Sequence, residues 1–348
     1  MQTDANLWNN VLHISGGKLA LHKCLYYLVS WNWNQGNATV RPATQISTTI
    51  TLKSLDGNTL PIKHQDCSIA HRTLGQCKTP IGDDSAHLRY IQQKSDNWLE
   101  TIEAAHLTKV KALAAFETMW FPSIAFGLGT TNLTYKELNN VQKRITNHIL
   151  PLMGYNRHLP RAVVFGSRKY GGLNFKHLYI QQGTEHIKQF IKHYRHQGSI
   201  GNLLKIALRW LRLIAGFFFC PLQRPQRDYH HIEDKWFRTT ILFLSECSAS
   251  IETNDQIQIY SREKDSSLME DFMLFSPTAG ELKLLNQCRL FLQVLSLSDI
   301  CNSKGNAISR NCWEGKQRQP SPRLWPCQHR PSMKAWRIWR TFVCPRAT

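Results

Sequence analysis

The chain has 348 residues, enough to bury at least one sizeable core and long enough to favour two units of ordinary domain size, which excludes a peptide-sized binding module. Its 43 Lys and Arg stand against 24 Asp and Glu, a formal charge of +19 that concentrates polyanions and makes nucleic acid the leading partner, ahead of membrane surfaces or acidic proteins. The N-terminal "MQTDANLWNN" has no basic-then-apolar signal pattern, and the longest apolar stretch, Leu213 to Cys220, is too short to span a bilayer, so the chain reads as soluble and intracellular, nuclear or cytoplasmic, with no membrane partner. Ten scattered cysteines suit reduced thiols.

In chain order, the residues around Trp8 open as an amphipathic turn, and Gly16-Gly17 break it. From Gly17 to Trp33, alternation with aromatic and β-branched residues predicts strand pairing, with a turn at Gln35 to Asn37. "QISTTITLK" and "TLPIKH" predict strands joined in a hairpin through Asp56-Gly57. After Pro80 the spacing of Leu88, Ile91, Trp98, Ile102 and Ala105 predicts a helix, and "LTKVKALAAFETMW" a second one ending before Pro122. Thr134 with Glu137 makes a capping box, after which Leu138, Val141, Ile145, Ile149 and Leu152 fall on one helical face. Beyond Gly171-Gly172, stripes at Ile187, Phe190, Ile191 and Tyr194, then at Ile200, Leu203, Leu204, Ala207, Leu208 and Leu211, predict two more helices, the second with Lys205, Arg209 and Arg212 as a basic rear face. "PLQRPQRDYHH", Pro221 to His231, has the composition of a linker. A smaller mixed unit runs to about Ile300 and a Pro/Trp/Arg-rich tail follows.

The charge is concentrated. From Lys136 to Arg212 there are fourteen Lys/Arg against Glu137 and Glu185 alone, which singles out Lys143, Arg144, Arg157, Arg161, Arg168, Lys169, Lys205, Arg209 and Arg212 as nucleic-acid-binding candidates. Asp83-Asp84 has the residue types of a two-metal pair, but "TPIGDDSAHL" is a turn entering a helix, where an N-cap role accounts for both acids. His64, Cys67, His71 and Cys77 have zinc-ligand chemistry at a spacing that matches no familiar finger, and half-buried strand and turn residues are the plainer reading. His186, His193 and His196 lie on a basic helix, near phosphate or simply solvated. Gly171-Gly172 beside Arg168 and Lys169 either cradles a phosphate or makes a tight turn. Arg337 and Arg340 beside Trp336 and Trp339 either stack on bases or belong to a docked tail.

In sequence, "SGGKLALHKCLYYLVSW", "TLG" at Thr73 to Gly75, "QKRITNHILPLMGYNRHLPRAVVFGSRKYGGLNF", "LNQCRLFLQVLSLSDI" and "LWPCQHRPSMKAWRIW" resemble the downstream half of reverse transcriptases of non-LTR retrotransposon type, over nearly the whole chain. The resemblance implies an α+β, mainly α fold: a small palm-remnant β-sheet and primer-grip-like region in 1–80, with Leu74 and Gly75 at the grip; a thumb-like basic helical domain in 81–220; a smaller mostly helical unit in 221–300; and a poorly ordered tail in 301–348. It implies that Lys23 lies on the strand whose lysine protonates leaving pyrophosphate in an intact polymerase; alone, the residue reads as a solvent-facing strand lysine. It implies RNA or RNA/DNA duplex as partner, held by backbone charge. The family's Tyr-x-Asp-Asp motif occurs nowhere, so the metal acids are missing, no metal site or cofactor is expected in this chain, and Mg²⁺ is expected only for an intact polymerase. The expectation is a polymerase fragment without activity of its own, the alternatives being a non-enzymatic basic nucleic-acid-binding module or a non-functional relic.

Overall fold

A computed structural model describes residues 1–17, 19–34, 37–53, 58–196, 198–253, 265–316 and 330–344. The chain divides into two units, Met1–Glu100 and Thr101–Thr348. It is mainly helical, with small two-stranded sheets.

The first unit opens with helix α1 (Gln2–Ile14), which ends at a left-handed Gly16 (φ +77°). Its polar side takes the place of a neighbouring strand: the Gln2 amide accepts from the Thr51 N–H at 3.0 Å and donates to the Thr51 carbonyl at 2.6 Å, while Asn9 Nδ2 donates to the Lys53 carbonyl at 2.9 Å. The strands are β1 (Leu25–Tyr26), β2 (Trp31–Asn34), β3 (Asn37–Val40), β4 (Thr51–Lys53), β5 (Thr59–Pro61), β6 (Lys63–His64), β7 (His71–Thr73) and β8 (Gln76–Lys78). β2 pairs antiparallel with β3, β4 with β5 and β7 with β8, and β1 pairs parallel with β6. The pairings expected on either side of Gln35 to Asn37 and of Asp56-Gly57 are thus present; Gln35, Gly36, Asp56 and Gly57 themselves lie outside the described residues. The described strands form separate pairs and not the single small sheet expected of a palm remnant. Helix α2 (Ser85–Ala104) begins in the first unit and ends in the second; it buries Ile91 and Ile102 as its apolar spacing requires.

In the second unit, α3 (Lys109–Ala115) runs through a π-helical turn (Phe116–Trp120) into α4 (Phe121–Ala125), so the helix does not stop at Pro122. A proline ring normally clashes with the carbonyl four residues earlier, here that of Thr118, and the wider π turn opens the backbone at that residue. Phe116, Trp120 and Phe121 are thereby all buried, with Phe116 stacked on Phe175 at 4.6 Å between centroids. The capping box of Thr134 and Glu137 forms as expected and starts α5 (Tyr135–Leu152), whose buried face is Leu138, Val141, Ile145 and Ile149. There follow α6 (Arg161–Phe165), α7 (Leu178–Arg195), α8 (Ser199–Ala215), α9 (Lys235–Glu246), α10 (Leu268–Met273), α11 (Ala279–Leu292), α12 (Leu297–Ile300), α13 (Arg310–Glu314) and α14 (Met333–Val343).

One core runs from Phe190 on α7 to Trp339 on α14 and includes Leu222, Tyr229 and Ile232. Pro221 to His231 is therefore no boundary between units: its prolines and charges bracket Tyr229, which is buried and donates its hydroxyl to the Arg224 carbonyl at 2.7 Å. The tail is likewise ordered over Met333–Val343, because Trp336 and Trp339 bury their rings. Those two rings are core residues and not an exposed stacking platform. Arg289 is wholly buried, with no carboxylate paired to it among the described residues; its guanidinium donates to the Leu213 and Ile214 carbonyls at 2.8 and 2.9 Å, satisfying the end of α8.

Gly183 lets α7 meet α9. A Cβ there would lie 2.2 Å from the Phe243 ring, inside any real contact distance. Gly183→Ala is expected to lower stability by about 1–3 kcal/mol through overpacking, read as a lower urea midpoint at unchanged slope.

Candidate nucleic-acid interface

The buried stripe of α5 turns its opposite face outward, and Lys143 and Arg144 stand exposed on it. Arg157, in the loop that follows, is exposed, with Nε on His158 Nε2 at 3.1 Å. Arg168 and Lys169 occupy a short 3₁₀ turn (Arg168–Tyr170) and are also exposed; Arg168 lies 3.5 Å from Glu117 and Lys169 over the Tyr170 ring. Arg161, at the start of α6, is half-buried and donates through Nη2 to Asn147 Oδ1. Six of the nine expected basic residues thus belong to α5, α6 and the loops beside them.

The other three lie on α8, and the structure breaks them up. Arg209 is exposed and Lys205 Nζ sits over the Tyr194 ring at 5.7 Å, but Arg212 is buried and donates Nη2 to the Phe218 carbonyl at 2.5 Å, so it holds the end of α8 and is not open to a phosphate. The expected basic rear face of α8 is a correction on two counts, because the exposed surface of that helix also carries Ile200, Leu203, Ile206 and Trp210. α7 packs against both α5 and α8.

Gly171-Gly172 is a turn. Gly171 is left-handed (φ +80°), its N–H donates to the Arg168 carbonyl and that of Gly172 to the Ser167 carbonyl, which uses up the amides a phosphate would need. The backbone folds back so closely that a Cβ on Gly172 would fall 2.1 Å from the Gly166 carbonyl oxygen. His186 is fully buried between Thr240 Oγ1 and the Thr131 carbonyl, 3.2 and 2.9 Å away, so it serves packing and faces no phosphate.

In the first unit, Lys23 closes a 3₁₀ turn (Leu21–Lys23) and is not on a strand. It borders an open cavity shared with Tyr27, His71, Lys78 and Thr79, and among the described residues no carboxylate lines it. Leu74 and Gly75 form the tip of the β7–β8 hairpin, both left-handed (φ +49° and +83°), with Leu74 exposed. Asp83 accepts from the Ser85 N–H at 3.1 Å and Asp84 pairs with Lys78 Nζ at 2.9 Å, so these two acids serve the entry to α2 and do not fit a Mg²⁺ site. His64 stacks on Tyr26 at 4.8 Å and the Cys77 N–H donates to His87 Nδ1 at 3.3 Å; among the described residues no group of three or more His, Cys, Asp or Glu is placed to hold a metal. No described helix is long and apolar enough to cross a membrane.

Sequence reasoning missed a notch of about 270 Å³ between α5 and α6, lined by Tyr135, Asn139, Lys143, Arg161 and Phe165 among others. Its signal was present: Tyr135, Asn139 and Lys143 fall at i, i+4 and i+8, one face of the helix already expected. Tyr135 stacks on His177 (5.6 Å, interplanar 2°) and Phe165 meets His177 edge-on at 4.8 Å. Burial lowers the pKa of His177, so its ring is neutral at pH 7.

No family model, curated protein or solved structure matches the chain.

Proposed function

We propose that this chain is the post-catalytic palm and thumb portion of a reverse transcriptase of non-LTR retrotransposon type, acting as a non-enzymatic binder of RNA or RNA/DNA duplex. The collinear segments support the descent, and the observation that carries the binding is the outward face of α5 and α6, where Lys143, Arg144, Arg157 and Lys169 are exposed in a stretch with few acids. Such a face grips phosphates by charge and not by reading bases. Without metal-holding acids, Lys23 has no leaving group to protonate.

The test is fluorescence anisotropy of a labelled RNA/DNA duplex across a salt series. The expected result is affinity that falls steeply with salt; in the triple variant Lys143→Gln/Arg144→Gln/Arg157→Gln the log–log slope should shrink by about 3 and affinity drop alike across sequences. A flat salt response in the unaltered protein would sink the reading. Primer extension with Mg²⁺ or Mn²⁺ is expected to yield no product, and extension would overturn the non-enzymatic part.

A further inference from the structure

The α5–α6 notch contains a cation, Arg161, with no acid beside it among the described residues. Arg161 Nη1 is buried with no hydrogen-bond partner, while Nη2 reaches only the neutral Asn147 amide oxygen. Among the described residues no acid lines the notch, and Lys143 adds a second positive charge to it. A guanidinium nitrogen that is buried without an acceptor is unfavourable unless a group brought into the notch supplies one. The neutral groups nearby are already committed: Gln142 donates to the Lys176 carbonyl at 2.6 Å and accepts from the Leu178 N–H at 2.7 Å, and Thr146 donates to the Gln142 carbonyl at 2.9 Å. What remains for a ligand is Arg161, Lys143 and Asn139, a donor-rich set suited to an oxyanion.

The notch also has an aromatic wall. Tyr135 is 53% exposed, while its ring stacks on the neutral His177, which Phe165 braces from the side and the Tyr179 N–H anchors through Nδ1 at 3.1 Å. A ring held in this way is a rigid platform of the kind on which single-strand binders stack bases. Cations and an exposed ring around a space of about 270 Å³ match one nucleotide, phosphate and base together.

We infer that this notch is a mononucleotide-sized site, seating one phosphate on Arg161 and Lys143 with the attached base against Tyr135. The inference rests on the reading that this face meets nucleic acid, and it adds that an unpaired nucleotide is captured there. The shared chemistry, a phosphate ester bearing a base, belongs equally to a free nucleotide and to a nucleotide within a strand.

The experiment is titration calorimetry of the full chain with inorganic phosphate, adenosine 5′-monophosphate and a short single-stranded RNA, beside duplex anisotropy. Adenosine monophosphate is expected to bind more tightly than inorganic phosphate and to be displaced by the RNA; weaker competition by RNA than by free nucleotide would assign the site to free nucleotides. Arg161→Gln should weaken nucleotide and RNA by about tenfold or more, as loss of a charge-assisted contact does, against a much smaller effect for the surface change Lys136→Gln. Tyr135→Leu should weaken the nucleotide and leave inorganic phosphate unchanged. Because Arg161 packs on Asn147, Arg161→Lys serves as the fold-preserving variant and should retain most of the affinity. Duplex binding without nucleotide binding, or equal effects of Arg161→Gln and Lys136→Gln, would overturn the notch while leaving the proposed function standing; loss of duplex binding in the unaltered protein would remove the proposed function itself.

Discussion

Trp339→Ala is expected to destabilise the second unit by about 3–5 kcal/mol, the range for removing a large aromatic side chain from a core. Trp339 is fully buried, donates Nε1 to the Cys312 carbonyl at 3.1 Å, and meets Phe272 edge-on at 5.5 Å. Truncation leaves a cavity with no side chain to fill it and removes the partner of a buried carbonyl, so transfer, cavity and hydrogen-bond losses act together. In a unit of this size the melting temperature should fall by about 10 °C. The exposed neighbour Arg337, changed to alanine, should shift stability by less than about 0.5 kcal/mol. Urea unfolding followed by circular dichroism decides the matter: similar midpoints for the two variants would mean that α14 does not belong to the core.

Acid should weaken the same unit through a buried histidine. His231 is buried and its Nε2 lies 3.0 Å from the Ala215 carbonyl. Burial, partly opposed by that hydrogen bond and reinforced by the charge of Arg289, lowers its pKa from 6.5 to about 4. The unfolded chain therefore takes up a proton between pH 6.5 and 4 that the folded chain refuses. The contribution is fully present above pH 6.5 and is lost as the pH falls, amounting to about 3 kcal/mol near pH 4. His177, whose pKa is also lowered by burial, adds in the same direction. Unfolding free energies at pH 7, 6 and 5 should decline progressively, and His231→Gln should flatten that decline. Should the variant not fold, the ring proton shifts of His231 in the unaltered protein give the same answer, because an ordinary imidazole titration near 6.5 would refute neutral burial.

What the sequence made legible is local. The capping box of Thr134 and Glu137 and the stripe from Leu138 to Ile149 are fixed by neighbours within a few residues, and the helix forms as they require. The same holds for α2, α7, α8 and the β2–β3 and β4–β5 pairings, whereas the β7–β8 pairing was not expected. The misreadings come where a distant contact overrides local composition. Pro122 looks like a terminator until a π turn accommodates it, and Pro221 to His231 looks like a linker until Tyr229 and Ile232 are seen in the core. Arg212 falls in phase with Lys205 and Arg209, yet the return of the chain at Phe218 draws it inward. Lys23 lies in a stretch of strand-forming residues that curls into a 3₁₀ turn. For the candidate site, the charge was readable by counting, whereas the notch needed Arg161 and Phe165 to be brought back against α5, and nothing local in the sequence announces that return.

The docking of α14 onto α11 has a consequence for synthesis. The core that begins with Phe190, Leu208 and Leu211 is completed by Trp336 and Trp339. Ribosomes add about 5–20 residues each second, so the apolar face of α11 is translated well before the helix that docks on it. During that interval the nascent chain exposes the apolar surface that Trp336 and Trp339 later cover, beside the strongly basic segment from Lys136 to Arg212.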